Sequence, residues 1–201
     1  MPLKTKVLIS SVTNLSDARY ATGMGVDFVG FSMNDDDDDF IGYTNYTAIT
    51  TWLQDMNFAG EFNQEASLAF IESRAEEFGF KTIITPNNAL VKSLQHKNYT
   101  IILKQNINSL EEVESIASLE TSADYVLVES KSNLALTQEH ITRLSAKLPV
   151  LVGTTISPST INTWIEETDM EGIALKGSEE IMTGYVDLDA MADILEAIEI
   201  D

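Results

Sequence analysis

Eight short apolar runs recur along the chain, separated by longer stretches in which apolar and polar residues alternate with a helical period. The runs are Val7–Ser10, Phe28–Ser32, Phe58–Phe62, Thr82–Thr85, Thr100–Lys104, Tyr125–Glu129, Val150–Gly153 and Gly172–Leu175. Each is short and rich in Val, Ile, Leu or Phe, the pattern of a parallel strand covered on both faces. The intervening stretches carry helix start and stop signals. Ser16 and Asp17 precede "ARYATGMG", and Gly25 suits its end. Asn63 and Gln64 lead into "EASLAFIESRAEEFG", which puts Leu68, Ile71 and Ala75 on one face and stops at Gly79. Ser109 with Glu112 has the spacing of a capping box, and Ser157-Pro158 places a proline before "STINTWIEETD". The last stretch, Leu188 to Ile200, repeats Met191, Ile194, Leu195 and Ile198 at helical intervals. Eight strand–helix units of about 25 residues each predict a compact (β/α)8 TIM barrel forming a single domain over residues 1–201. An open doubly wound sheet is the alternative, but that architecture usually holds fewer strands.

A barrel of this kind carries its chemistry where the strands end. That directs attention to Ser10-Ser11, the loop after Phe31, Glu61, Thr85-Pro86, Lys104-Gln105, Glu129, the turn Gly153–Ile156 and the segment from Lys176 to Glu180. Charge narrows the partners. With 32 acidic and 12 basic side chains the net charge is −20, which repels nucleic acid and anionic lipid, so neither is expected to bind. The chain has no cysteine, which excludes disulfides, thiolate metal sites and a thiol nucleophile. No apolar run approaches the roughly 18 residues needed to span a bilayer, and "MPLKTKV" leads straight into a strand. The cytoplasm is therefore the expected compartment. Oligomeric state is not legible. Asp35 to Asp39 is a run of like charge, expected to form a mobile, solvated loop. Its alternative use is to join Glu61 and Glu129 in holding Mg²⁺ or Ca²⁺. His96 and His140 fall in helical segments and are expected to be exposed and without a catalytic role.

The opening "KVLISSVTNLSDARYATGMGVDFVGF" resembles the start of phosphoribosylanthranilate isomerase, the small barrel enzyme of tryptophan biosynthesis, through Thr13, Asn14, Asp17, Ala18, Asp27, Gly30 and Phe31. Weaker echoes follow in "GEFN", "ADYVLVE", "ISPSTI" and "TGYVD". The resemblance implies the fold, no cofactor, and an Amadori rearrangement of a phosphorylated sugar amine by a base, an acid and an anion site. It also locates departures. Ser10 stands where the family has its cysteine base, and Glu129 stands for the aspartate acid. Thr154-Thr155 replace a phosphate-binding glycine pair, and "SKSNLALTQ" lies where a second glycine-rich segment is expected. Lys176, Gly177 and Ser178 are the remaining candidates to hold the phosphate, opposed by Glu179 and Glu180. Asp39 takes the place of an arginine, and Pro86 that of a histidine. Together these imply a weak or lost isomerisation. The alternative is a repurposed barrel that binds another ligand, a cation or a protein partner.

Overall fold

A computed structural model describes residues 2–53, 55–130, 134–154, 156–178, 180–182 and 185–200, with the backbone alone for the strand residues 180–182 and 185–186. The eight runs form parallel strands β1 (Lys6–Ser10), β2 (Phe28–Ser32), β3 (Asn57–Glu61), β4 (Thr82–Thr85), β5 (Thr100–Ile107), β6 (Tyr125–Ser130), β7 (Val150–Val152) and β8 (Gly172–Lys176). They pair in sequence order, and β1 closes on β8 through five register pairs from Lys6↔Gly172 to Ser10↔Lys176. Closure removes both sheet edges. The expected TIM barrel is therefore the observed fold.

Strand ends match the apolar runs to within one residue, except that β5 continues to Ile107. The helices are α1 (Leu15–Met24), α2 (Tyr43–Thr50), α3 (Leu68–Phe78), α4 (Val91–Gln95), α5 (Glu111–Ala117), α6 (Gln138–Ser145), α7 (Ile161–Glu167) and α8 (Asp189–Ala197). Gly25 and Gly79 end α1 and α3 in the left-handed conformation, at φ 73° and 78°, as their places in the pattern suggest. Three starts differ from expectation. Asn14, not Ser16, caps α1 by accepting from the Asp17 N–H. Ser67, not Asn63, caps α3, its hydroxyl accepting from the Phe70 N–H. At α5 no side chain caps the helix; Glu112 instead turns back to accept from the Asn108 N–H at 2.8 Å. Between β8 and α8 the chain forms an antiparallel hairpin, β9 (Glu180–Met182) with β10 (Tyr185–Val186), that the apolar pattern does not announce.

Side-chain alternation divides the interior in two. Outward-facing residues such as Val7, Ile9, Val29, Phe31 and Val126 pack beneath the helices in the larger core. The inward-facing layer takes one residue from each strand: Leu8, Phe28, Ala59, Ile84, Ile102, Leu127, Leu151 and Ala174. Because the side-chain period of a strand is two, the next inward residue lies two positions further on, at the C-terminal mouth. Those positions are Ser10, Gly30, Glu61, Pro86, Lys104, Glu129, Gly153 and Lys176. One apolar plug thus carries a polar layer directly above it.

Candidate functional site

The polar layer is organised around three charged side chains. Lys104 Nζ lies 2.9 Å from Glu129 Oε2, an ion pair between the ends of β5 and β6. Glu61, at the end of β3, is almost wholly buried, and its Oε1 accepts a 2.7 Å hydrogen bond from the Ser11 N–H. Burial pushes the Glu61 carboxyl above its ordinary range; Lys104 and the Ser11 amide pull the other way without cancelling it. Burial alone would lower the Lys104 ammonium, but the carboxylates of Glu129, Glu61 and Asp37 outweigh it and raise it. Lys104 is therefore a firmly protonated cation rather than a nucleophilic amine.

Two glycines make room for the glutamates. A Cβ at Gly30 would lie 2.2 Å from Glu61 Oε1, and one at Gly153 would lie 2.9 Å from Glu129 Cγ. Ser11 turns away from β1 with φ 52°, a left-handed conformation held by its bond to Glu61. Ser10 is buried, and its hydroxyl donates to the Leu175 carbonyl at 3.3 Å. Thr154 is also buried and hydrogen-bonds the Ser130 hydroxyl, joining the ends of β6 and β7. Thr155 and Glu179 lie outside the described residues, as do residues 131–133 of "SKSNLALTQ".

The aspartate run does not form the loose loop expected of like charges. It folds into a strap with three anchors. Asp35 pairs with Arg74 of α3 at 2.9 Å, and that guanidinium also lies 5.3 Å from the centre of the Phe70 ring. Asp37 accepts from the Ser32 hydroxyl at 2.7 Å and from the Asp39 N–H at 3.0 Å. Asp39 pairs with Lys176 at 3.0 Å. Although partial burial raises the Asp37 carboxyl, these hydrogen bonds and the nearby Lys176 hold it below its usual range. Lys176 ends β8, so the strap passes from β2 over the end of β1. Arg74 and Lys176 thus pair with two of the five aspartates, Asp35 and Asp39. Among the described residues no three Asp, Glu or His side chains converge as a metal site.

Donors after β8 point inward. The Gly177 N–H is given to the Ser10 carbonyl at 2.7 Å and the Ser178 N–H to Asp17 Oδ2 at 2.6 Å. Asp17 is completely buried in the first turn of α1, and that burial raises its carboxyl. A Cβ at Gly177 would meet the Ser11 carbonyl at 3.0 Å and Asp17 Oδ2 at 3.1 Å, so the segment is pressed onto the β1 turn. His96 is exposed, and His140 Nδ1 accepts from the Thr137 N–H at the start of α6; neither reaches the mouth.

What remains open at the mouth is a cavity of about 380 Å³. Ser10 and Ser11 form one wall, Lys104, Glu129 and Ser130 the opposite one, and Asp39 with Lys176 the rim. A larger groove of about 840 Å³ lies outside the barrel between α5 and α6, but no strand-end residue lines it. Of the sequence-derived candidates, Glu129, Ser10 and Lys176 line the mouth together, while Gly177 and Ser178 turn their N–H groups away from it. The sequence places Glu61 and Lys104 at strand ends but assigns no chemistry to Lys104 and only a cation-ligand use to Glu61, and it does not bring Asp17 to the mouth. The period-two pattern carried the signal for Lys104 and Glu61.

No protein-family profile matches the chain, and no curated protein matches its sequence. Solved structures do match its fold. A phosphoribosylanthranilate isomerase crystallised with reduced 1-(o-carboxyphenylamino)-1-deoxyribulose 5-phosphate aligns at TM-score 0.78 and 16% identity, covering 96% of this chain and 98% of that one. The isomerase from Thermus thermophilus aligns at 0.77 and 16%, covering 96% and 97%. N-(5'-phosphoribosyl)anthranilate isomerase from Pyrococcus furiosus aligns at 0.76 and 15%, covering 96% and 98%. The fold of this chain is the fold of those enzymes over nearly its whole length.

Proposed function

We propose that this chain is a divergent barrel of the phosphoribosylanthranilate isomerase type in which the isomerisation is weak or lost and the mouth serves another small ligand. The observation that carries this reading is the fate of the donors after β8. The Gly177 and Ser178 N–H groups, expected to face a phosphate, are given to Ser10 and Asp17. Lys176, the cation beside them, is paired with Asp39. A phosphorylated sugar would have to compete with the protein's own acceptors and enter past Asp39 and Glu129, against like charge.

The groups standing where the base and acid belong support the same reading. Ser10 donates its hydroxyl to a carbonyl, an arrangement that does not activate it as a base. Glu129 is engaged by the Lys104 ammonium and accepts rather than donates at the mouth. Both residues line the cavity, so any residual turnover would rest on them. The test is direct assay of phosphoribosylanthranilate with purified protein, alongside complementation of a tryptophan auxotroph lacking the isomerase. We expect no loss of substrate beyond the spontaneous rate and no growth despite soluble expression. Turnover within the roughly 1–10³ s⁻¹ usual for enzymes would overturn the proposal.

A further inference from the structure

Resting on the reading that the phosphate site is gone, the geometry points to an unphosphorylated, uncharged polyhydroxylated molecule, an aldose or alditol, as the ligand of the mouth. Size sets the first limit. At about 380 Å³ the cavity falls near the small end of ligand sites and suits a compact molecule. Its lining sets the chemistry. Serine hydroxyls from β1 and β6 face a lysine–carboxylate pair, and apolar contact comes mainly from Ala174 and Leu175 of β8.

Charge pairing decides between classes. Each ammonium at the mouth already has a carboxylate: Lys104 has Glu129 at 2.9 Å, and Lys176 has Asp39 at 3.0 Å. An anionic ligand would displace one of those carboxylates and leave it at the mouth without its ammonium partner. A cationic ligand would displace a lysine that is more than two-thirds shielded from water at Lys104 and fixed between three acids. A neutral polyol displaces neither. Adjacent hydroxyls of a sugar are separated by about the same distance as the two atoms of the Lys104–Glu129 pair. One hydroxyl can accept from Nζ while its neighbour donates to Oε2, with the pair intact. Ser10, whose hydroxyl donates to Leu175, and Ser130, bonded to Thr154, keep oxygen lone pairs that can accept from further hydroxyls, and Ser11 lines the same wall.

Isothermal titration calorimetry on the full chain tests this with a panel of neutral aldoses and alditols, from glyceraldehyde and glycerol to glucose and sorbitol. Ribose 5-phosphate is the charged control. We expect at least one neutral member to bind saturably and the phosphate ester to bind at least about tenfold more weakly than its parent sugar. E129Q should weaken the neutral ligand by at least about tenfold. S130A, which also removes the bond to Thr154, should weaken it by a few-fold, and thermal denaturation matching wild type in both variants guards against misfolding. No saturable binding by any neutral member would overturn the inference while leaving the loss of isomerase activity standing. Tighter binding of ribose 5-phosphate would overturn both.

Discussion

Replacing Gly30 by alanine is the sharpest probe of how the mouth is built. The new methyl carbon would fall 2.2 Å from Glu61 Oε1 and 3.0 Å from its Cδ, so the carboxyl must leave its position. Moving it breaks the 2.7 Å bond from the Ser11 N–H, the contact that holds Ser11 at φ 52°. Loss of a hydrogen bond to a carboxyl, with a partly buried amide left unpaired, costs about 1.5–3 kcal/mol. Alanine in a strand recovers about 0.5–1 kcal/mol relative to glycine, so the net destabilisation is about 1–2 kcal/mol. Urea denaturation of wild type, G30A, E61A and the double variant measures it. With Glu61 already truncated, the same alanine has nothing to displace. In that background it should cost nothing or stabilise the fold by about 0.5–1 kcal/mol, a coupling of about 2 kcal/mol. Additive effects, with G30A equally costly whether or not Glu61 is present, would refute the proposed contact.

The other two predictions probe the buried acid and the strap. Because burial raises the folded-state pKa of Glu61, its neutral form is favoured in the native protein, and that contribution is complete below its ordinary value of 4.5. It is lost as pH rises from there through the folded value. E61Q should therefore gain stability on wild type by up to about 1.4 kcal/mol per pH unit in that window, and then run parallel to it. Denaturation midpoints measured from pH 4 upward, in steps of about half a unit, test this; parallel curves throughout would contradict it. R74A removes the Asp35 ion pair and the stacking on Phe70, so it should cost about 1–2 kcal/mol and hasten proteolytic cleavage within residues 34–40. An unchanged cleavage rate would show that Arg74 does not anchor the strap.

Much of the scaffold was legible because a buried parallel strand leaves a local signature. A run of four or five residues rich in Val, Ile, Leu or Phe marked each strand, and the strand ends marked the mouth. The threonine-rich helix Tyr43–Thr50 has neither a strong apolar stripe nor a side-chain cap, so sequence gave it no distinct outline. The site was legible as a set of positions and not as a set of contacts. Ser10, Glu129 and Lys176 were identifiable by counting along strands. The seating of Glu61 over Gly30 joins two strands and depends on an absent side chain, which no local pattern displays. The aspartate run read as disordered because its neutralising partners are remote: Arg74 follows Asp35 by 39 residues, and Lys176 lies on the last barrel strand. Asp17 looked like an ordinary first-turn acid, whereas its partner, the Ser178 amide, is 161 positions away.

The strap gives the barrel a front and a back. By crossing from β2 over β1 to Lys176, it roofs one side of the mouth, and β2, β3 and β4 contribute no residue to the cavity lining. The lining comes from β1 and from the run of strands β5, β6, β7 and β8, with Asp39 as its border. A ligand of the kind proposed would therefore approach obliquely, from the side of the later strands, rather than down the barrel axis. Variation in the loops after β5 to β8 can then alter what is bound without loosening the roof. Changes in the strap would alter how readily anything gets in.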